Sequence, residues 1–340
     1  MDSNSNSNSN SNTTTNSLPA SLWGKKGELV RPPAQFRNFI SRDPGARFPP
    51  EANRYHLYVS YACPWAHRTL IVRKLKGLES LISVTSVHWH MSLTDSWRFV
   101  TPDEKLPMDD CTPDPLHSDV KRPKELYLRA NPDYQGRFSV PVLWDKTLET
   151  IVSNESSEII RMLYTEFDDL LPEDKRAVDL YPVELREKID EANGWTYENI
   201  NNGVYKCGLA KTQEVYHEAV SNLFNHLDKV ESHLASRSSP GPYYFGAEIT
   251  EADIRLYVTM IRFDPVYVSL FKTNKGMIRY QYPNIHKWLR NLYWTVPAFK
   301  DTTSFEHIKN HYFVSLTILN PAGVVPEGPT PHVLPLEARN

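Results

Sequence analysis

The stretch Tyr61-Ala62-Cys63-Pro64-Trp65-Ala66-His67-Arg68 decides the reading of this chain, because it places one cysteine at the start of a helix. Upstream, His56-Leu57-Tyr58-Val59-Ser60 reads as a short strand rich in aromatic and branched residues. Downstream, Thr69-Leu70-Ile71-Val72-Arg73-Lys74-Leu75-Lys76 carries apolar residues at helical spacing and stops at Gly77. Pro64 sits where a first-turn proline is tolerated, since that N–H would have no helical partner anyway. Cys63 therefore falls at the N-cap, facing unpaired N–H groups and the positive end of the helix dipole. That setting favours thiolate over thiol and predicts titration below the free-cysteine value of about 8.5.

A dithiol oxidoreductase would carry a second cysteine at position 66, where this chain has Ala66. The other cysteines are Cys111, in a Pro/Asp-rich stretch, and Cys207, in a helical region, and both read as bystanders. A lone activated thiol needs an external thiol to complete a redox cycle, and in cells that is usually glutathione. The competing reading is a buried, inert cysteine ahead of a core helix.

Length and composition set the outer bounds. A chain of 340 residues is long enough for about two domains with sizeable cores. A formal net charge of −3 gives no reason to expect nucleic acid as a partner. Three cysteines do not make a disulfide framework, so a reducing compartment fits. No apolar run approaches membrane-spanning length, no secretory signature opens the chain, and the first arginine is Arg31. The expectation is a cytoplasmic protein with no membrane partner.

Residues 1–18, dominated by Ser-Asn alternation, read as a disordered tail. Residues 19–53, rich in Pro, Arg and Phe, suggest an extended arm. A first folded unit is expected over 54–170. Leu81-Ile82-Ser83-Val84-Thr85-Ser86-Val87 supplies a strand parallel to the first, and residues 90–122 form an inserted loop. Phe138-Ser139-Val140-Pro141-Val142-Leu143-Trp144 then reads as a strand with a proline inside. Either that strand is an edge, or Pro141 is cis and leaves the Val140 backbone to pair with a peptide ligand. Residues 148–152 follow as a fourth strand, and Ser153-Asn154-Glu155-Ser156 opens a helix with Ser and Asn available as caps. Amides at that helix start suit a ligand carboxylate. A second unit over 181–316 is helical by periodicity, with a capping-box-like start at Thr250-Glu251-Ala252-Asp253, and 317–340 reads as an extended tail.

Taken together, the strand-Cys-Pro-helix, the Val-Pro before a strand, the Glu-Ser at a helix start and the trailing helices resemble a glutathione transferase. The resemblance narrows to the xi class, the glutathionyl-hydroquinone reductases, and extends from about residue 20 to 325. It rests on Tyr-His-Leu-Tyr-Val-Ser (55–60), Ala-Cys-Pro-Trp-Ala-His-Arg-Thr-Leu (62–70), Gly-Arg (136–137), Val-Pro-Val-Leu-Trp-Asp (140–145) and Ile-Val-Ser-Asn-Glu-Ser (151–156). Further matches are Asn-Asn-Gly-Val-Tyr (201–205), Glu-Ala-Asp-Ile-Arg-Leu (251–256), Arg-Phe-Asp-Pro-Val-Tyr (262–267) and Asn-His-Tyr-Phe (310–313).

The resemblance implies a thioredoxin-like N-terminal domain followed by an all-helical C-terminal domain, with glutathione as co-substrate, no metal, and a homodimer. It implies Cys63 as nucleophile and Trp97, Arg137, Val140, Glu155 and Ser156 as glutathione contacts. Val140 would pair with the cysteinyl backbone, Glu155 would take the γ-glutamyl ammonium, Ser156 its carboxylate, and Arg137 would lie near the glycyl end. Tyr205, Tyr267 and Tyr312 match the family's substrate-pocket tyrosines, placed to hold a quinol ring and protonate it. His67 and His311 adjoin these motifs and are left outside the catalytic set. Two rival readings stand beside this one: an omega-like glutathione-dependent thiol transferase or dehydroascorbate reductase, and a non-catalytic ligand carrier on the same scaffold. Retention of Cys63 argues against the carrier.

Overall fold

A computed structural model describes residues 22–236 and 241–337; the tail expected at 1–18 lies outside them. The first half is organised on a four-stranded sheet in the order β2-β1-β3-β4. Strands β1 (Tyr55–Val59) and β2 (Ser83–Ser86) are parallel and joined by helix α1 (Pro64–Leu75). Gly77, at φ +65°, adopts the left-handed conformation that lets the chain leave α1, as its sequence position predicts. Helix α2 (Pro123–Ala130) follows, then strands β3 (Val142–Asp145) and β4 (Thr150–Ser153), which form an antiparallel hairpin on the other side of β1. Helix α3 (Ser156–Thr165) completes the thioredoxin-like layer and packs on α1. Every residue of β1 is buried, as expected of a central strand covered on both faces.

Two local readings are corrected. The third strand starts at Val142, so Pro141 lies ahead of the ladder and never has to donate to it; β3 sits between β1 and β4 and is not an edge. The other reading holds: the Val140–Pro141 bond is cis. The cap of α3 is Glu155, whose carboxylate accepts the Ser157 N–H at 3.0 Å. Ser153 and Asn154 are committed elsewhere: Ser153 Oγ accepts the Glu155 N–H at 3.1 Å and Asn154 Oδ1 the Phe36 N–H at 3.2 Å.

Both sheet edges are covered, which removes unpaired strand backbone from solvent. The inserted loop lies along β2, with the Ser86 N–H on the Asp110 carbonyl (2.8 Å) and the His88 N–H on the Arg98 carbonyl (2.9 Å). The N-terminal arm lies along β4, with the Asn38 N–H on the Val152 carbonyl (3.0 Å) and the Asn154 N–H on the Phe36 carbonyl (3.1 Å).

The second half is helical. It comprises α4 (Glu173–Arg176), α5 (Arg186–Thr196), α6 (Gly203–Gly208), α7 (Gln213–Ser236), α8 (Glu251–Arg262), α9 (Val268–Leu270), α10 (Ile278–Gln281), α11 (Pro283–Thr295), α12 (Pro297–Lys300) and α13 (Phe305–Asn310). Wider π-helical turns interrupt it at Tyr197–Asn201, Phe263–Tyr267 and His311–Ser315. Of the apolar stripe Val215, Ala219, Leu223, Leu227, Val230 and Leu234 on α7, the last four are buried and the first two half-buried, and α8 is buried along its whole length. Asp253 accepts the Thr250 N–H at 2.9 Å, closing the expected box at the start of α8. Among the described residues, no helix is long and apolar enough to cross a membrane.

The two halves are tied by Glu251, whose fully buried carboxylate accepts from Arg161 on α3 (3.0 Å), Tyr164 (2.7 Å), Asn193 on α5 (3.0 Å) and Arg255 (2.5 Å). Removing it strands the Arg255 guanidinium and leaves Arg161 with Asp190 (2.6 Å) as its remaining carboxylate. Glu251→Ala is therefore expected to lower unfolding stability by roughly 3 kcal/mol, the lower end for breaking a buried ion pair because Arg161 keeps access to water. Denaturant titration checks this, and a midpoint equal to the parent's would show that the network does not hold the halves together.

Candidate active site

Cys63 occupies the N-cap of α1, in extended conformation, with Pro64 at the first helical position. The turn after β1 delivers it there: the Cys63 N–H donates to the Ser60 carbonyl (3.1 Å) and the Ala62 N–H to Ser60 Oγ (3.3 Å). Cys63 is only 9 % exposed, and its thiol donates to the Val140 carbonyl at 3.5 Å. Burial pushes the thiol above its ordinary value, against the downward pull of the Ala66 and Trp65 N–H groups and of the Arg262 and Arg31 charges. The expectation of a depressed titration is thereby overturned. The helix terminus acts in the sense foreseen, but desolvation outweighs it. Alkylation rate against pH should give a midpoint at or above the free-cysteine value of about 8.5, and one clearly below it would show that the charges win.

Tyr205 lies on α6, Tyr267 closes the turn Phe263–Tyr267, and Tyr312 lies in the turn His311–Ser315. The π-helical turns re-aim side chains that a regular helix would point elsewhere. The Tyr312 hydroxyl meets that of Tyr205 at 2.5 Å and that of Tyr267 at 3.1 Å. Phe271 stacks on Tyr267 with ring centres 5.2 Å apart. Gly208 permits its approach, because a Cβ there would stand 2.3 Å from the Phe271 ring. Burial raises all three phenols above their ordinary value, so each carries its proton at neutral pH. Tyr205 also senses Cys63, since a thiolate there opposes its ionisation.

The remaining residues singled out by the sequence fall into three places. Val140 is on the sulfur, and Arg137, three residues before it, lies within electrostatic reach of Cys63 and Tyr205. Glu155 and Ser156 stand at the start of α3, where Ser156 Oγ accepts from Arg68 at 3.5 Å. Trp97 stacks on His311, with ring centres 4.7 Å apart, beside the tyrosine cluster.

His311 donates from Nδ1 to the Trp89 carbonyl (2.9 Å) and is pushed down to about 4 by burial. His67 accepts on Nδ1 from Arg262 (3.1 Å), so its proton sits on Nε2, facing Thr302 Oγ1 (3.0 Å). Both imidazoles are buried and neutral at pH 7. Cys111 and Cys207 are buried as well, each pushed up to about 12.

Three arginines of the site escape sequence reasoning. Arg31, from the N-terminal arm, lies over the rings of Trp65 (4.9 Å) and Tyr205 (5.2 Å) and donates to Asn202 (3.2 Å). Arg68 is buried, donates to Asn201 (2.9 Å) and stacks on Trp65 (4.6 Å). Arg262 reaches the turn before Cys63. Arg68 and Arg262 stand inside the quoted motifs, which is their only signal; nothing local announces Arg31. A buried thiol ringed by cations suits an anionic sulfur ligand.

Residues 62–166 match the family described as glutathione S-transferase, N-terminal domain, and residues 213–291 match glutathione S-transferase, C-terminal domain. The chain is 52% identical over 313 residues to a Schizosaccharomyces pombe protein named glutathione S-transferase omega-like 2, covering 92% of this chain and 96% of that one. It is 48% identical over 309 residues to a glutathionyl-hydroquinone reductase of Escherichia coli, covering 89% of each. A crystal structure of a xi glutathione transferase from Saccharomyces cerevisiae in complex with glutathione superposes with a TM-score of 0.86 at 44% identity, covering 92% of this chain and 100% of that one.

Proposed function

The chain belongs to the xi class of the glutathione transferase family, and from that premise we propose that it is a glutathionyl-hydroquinone reductase acting through Cys63. The observation that carries the proposal is the pairing of a single N-cap cysteine with the joined hydroxyls of Tyr205, Tyr267 and Tyr312. A thiol transferase needs the first of these and has no use for the second.

In the proposed reaction glutathione bonded to a hydroquinone enters with its cysteinyl backbone on Val140. The Val140 carbonyl that now accepts the Cys63 thiol hydrogen would accept the ligand N–H instead, releasing the thiol to ionise. Arg137 lies toward the glycyl end. Glu155 takes the γ-glutamyl ammonium and Ser156 the carboxylate beside it, at a helix start suited to an anion. Trp97 completes the glutathione side. The Cys63 thiolate attacks the glutathione sulfur, the bond from that sulfur to the ring carbon breaks, and the ring carbon takes the electron pair and a proton. The three phenols hold the ring by face and hydroxyl and deliver that proton. Hydroquinone leaves and a Cys63–glutathione disulfide remains. A second glutathione thiolate attacks it, releasing glutathione disulfide and the Cys63 thiolate. Ala66 at the position of a resolving cysteine fits that dependence on a second glutathione. The same reading carries a cytoplasmic homodimer.

The name of the Schizosaccharomyces pombe relative favours a second reading, an omega-like thiol transferase or dehydroascorbate reductase. Initial rates on a glutathionyl-hydroquinone, hydroxyethyl disulfide and dehydroascorbate, each with glutathione, separate the two. Preference in kcat/KM for the glutathionyl-hydroquinone is expected. Preference for either of the others would sink the reductase assignment.

A further inference from the structure

Arg262 ends α8 and is fully buried. Its guanidinium donates from Nε to the Ala62 carbonyl (3.0 Å), from Nη2 to the Tyr61 carbonyl (2.9 Å), and from Nη1 to the Val258 carbonyl (2.7 Å) and His67 Nδ1 (3.1 Å). All of these acceptors are neutral. The buried Arg255 and Arg279 pair with Glu251 and Asp264, whereas buried Arg68, like Arg262, meets neutral acceptors, Asn201 Oδ1 (2.9 Å) and Ser156 Oγ (3.5 Å). Among the described residues, no carboxylate is in ion-pair contact with Arg262. A buried charge without a counter-charge is strongly disfavoured, so its retention calls for an anion that the reaction itself supplies.

The two carbonyls it clamps immediately precede Cys63. Held on the guanidinium, they turn their negative ends toward Arg262, while the Ala66 and Trp65 N–H groups act on the sulfur from the helix side. We propose that Arg262 is a positioning residue for Cys63, the buried counter-charge to the thiolate that forms when the thiol ionises for attack. It belongs to the helical half of the chain and Cys63 to the other half, so the packing of α8 against the turn before α1 is what joins charge to nucleophile.

The other groups facing Cys63 set the background. Arg31 from the arm adds positive charge, Arg137 lies within its field from the loop before β3, and Tyr205 from α6 carries its proton. His67, on Cys63's own helix, is neutral. The Arg262 charge also opposes the burial of all three pocket phenols.

The proposal rests on Cys63 as the attacking thiol, but its test needs no substrate, so it fails separately from the reductase assignment. The rate of Cys63 alkylation by iodoacetamide is followed against pH in the full-length protein, with thermal melting as the check on folding. Arg262→Gln keeps hydrogen-bond donors and removes the charge; its midpoint is expected to rise by about one pH unit or more, the scale for losing an opposite charge close by. Arg262→Lys keeps the charge and should recover most of that shift. As a second measurement on the unaltered guanidinium, the side-chain nitrogen resonance of Arg262 in ¹⁵N-arginine-labelled protein should move with pH at the Cys63 midpoint, and stay flat in Cys63→Ser. A folded Arg262→Gln protein with the parent midpoint would overturn the proposal. So would equal shifts in the Gln and Lys variants, or an Arg262 resonance indifferent to Cys63.

Discussion

Cys63→Ser protein is expected to lose glutathionyl-hydroquinone turnover by roughly 10³-fold or more, the scale on which enzymes lose an attacking group. The serine hydroxyl would sit in the same N-cap, under the same Val140 carbonyl, so fold and glutathione binding should survive. What disappears is an ionisable atom, since no alkoxide forms where a thiolate did. The parent protein, given glutathionyl-hydroquinone and no free glutathione, should stop after one turnover with a single glutathionyl group attached. Peptide mass spectrometry should find it on Cys63. Cys111 and Cys207 are poor competitors, buried and pushed up to about 12. An adduct found mainly on either of them, or a serine variant that still turns over, would remove Cys63 from the mechanism.

The second large effect belongs to Tyr312. Its hydroxyl is the one that touches both others, so Tyr312→Phe breaks two contacts while keeping the ring that packs against Tyr267 and Phe271. Turnover of glutathionyl-hydroquinone should drop on the order of 10- to 1000-fold, the range for losing a positioned acid or hydrogen bond. Tyr205→Phe and Tyr267→Phe each break one contact and should lose less. Reduction of a small mixed disulfide by all three variants should stay near the parent rate, because a departing thiolate needs no proton from the protein. Equal losses on both substrates would mean that the tyrosines hold the pocket's shape only. No loss on either would move the reaction away from this cluster and favour the thiol-transferase reading.

With the thiol pushed upward by burial, the resting protein holds Cys63 mostly protonated at neutral pH, and ionisation becomes part of the reaction. Rates should then climb with pH until the thiol is titrated. Arg262, Arg31 and the amides at the start of α1 limit how far that climb extends, because each favours the charged form.

What sequence alone determined is local. The N-cap placement of Cys63, Pro64 in the first turn and Gly77 at the exit of α1 are interactions within a few positions along the chain, so residue order suffices to read them. The box at Thr250 and Asp253 is legible for the same reason, whereas the pairing of β1 with β2 follows from the strand-helix-strand order, which closes as a parallel unit. The Glu155 cap is not legible in the same way, because Asn154 is taken by Phe36 of the distant N-terminal arm and Ser153 by the Glu155 N–H. Tyr205, Tyr267 and Tyr312 were named by resemblance, but their hydroxyls meet only because three separated segments converge. Arg31, Arg68 and Arg262 carry no local pattern, since an arginine is marked as buried or exposed only by what packs over it. The thiol's ionisation turned on the same quantity. A helix terminus is written in the order of residues, whereas the desolvation that outweighs it belongs to the assembled fold.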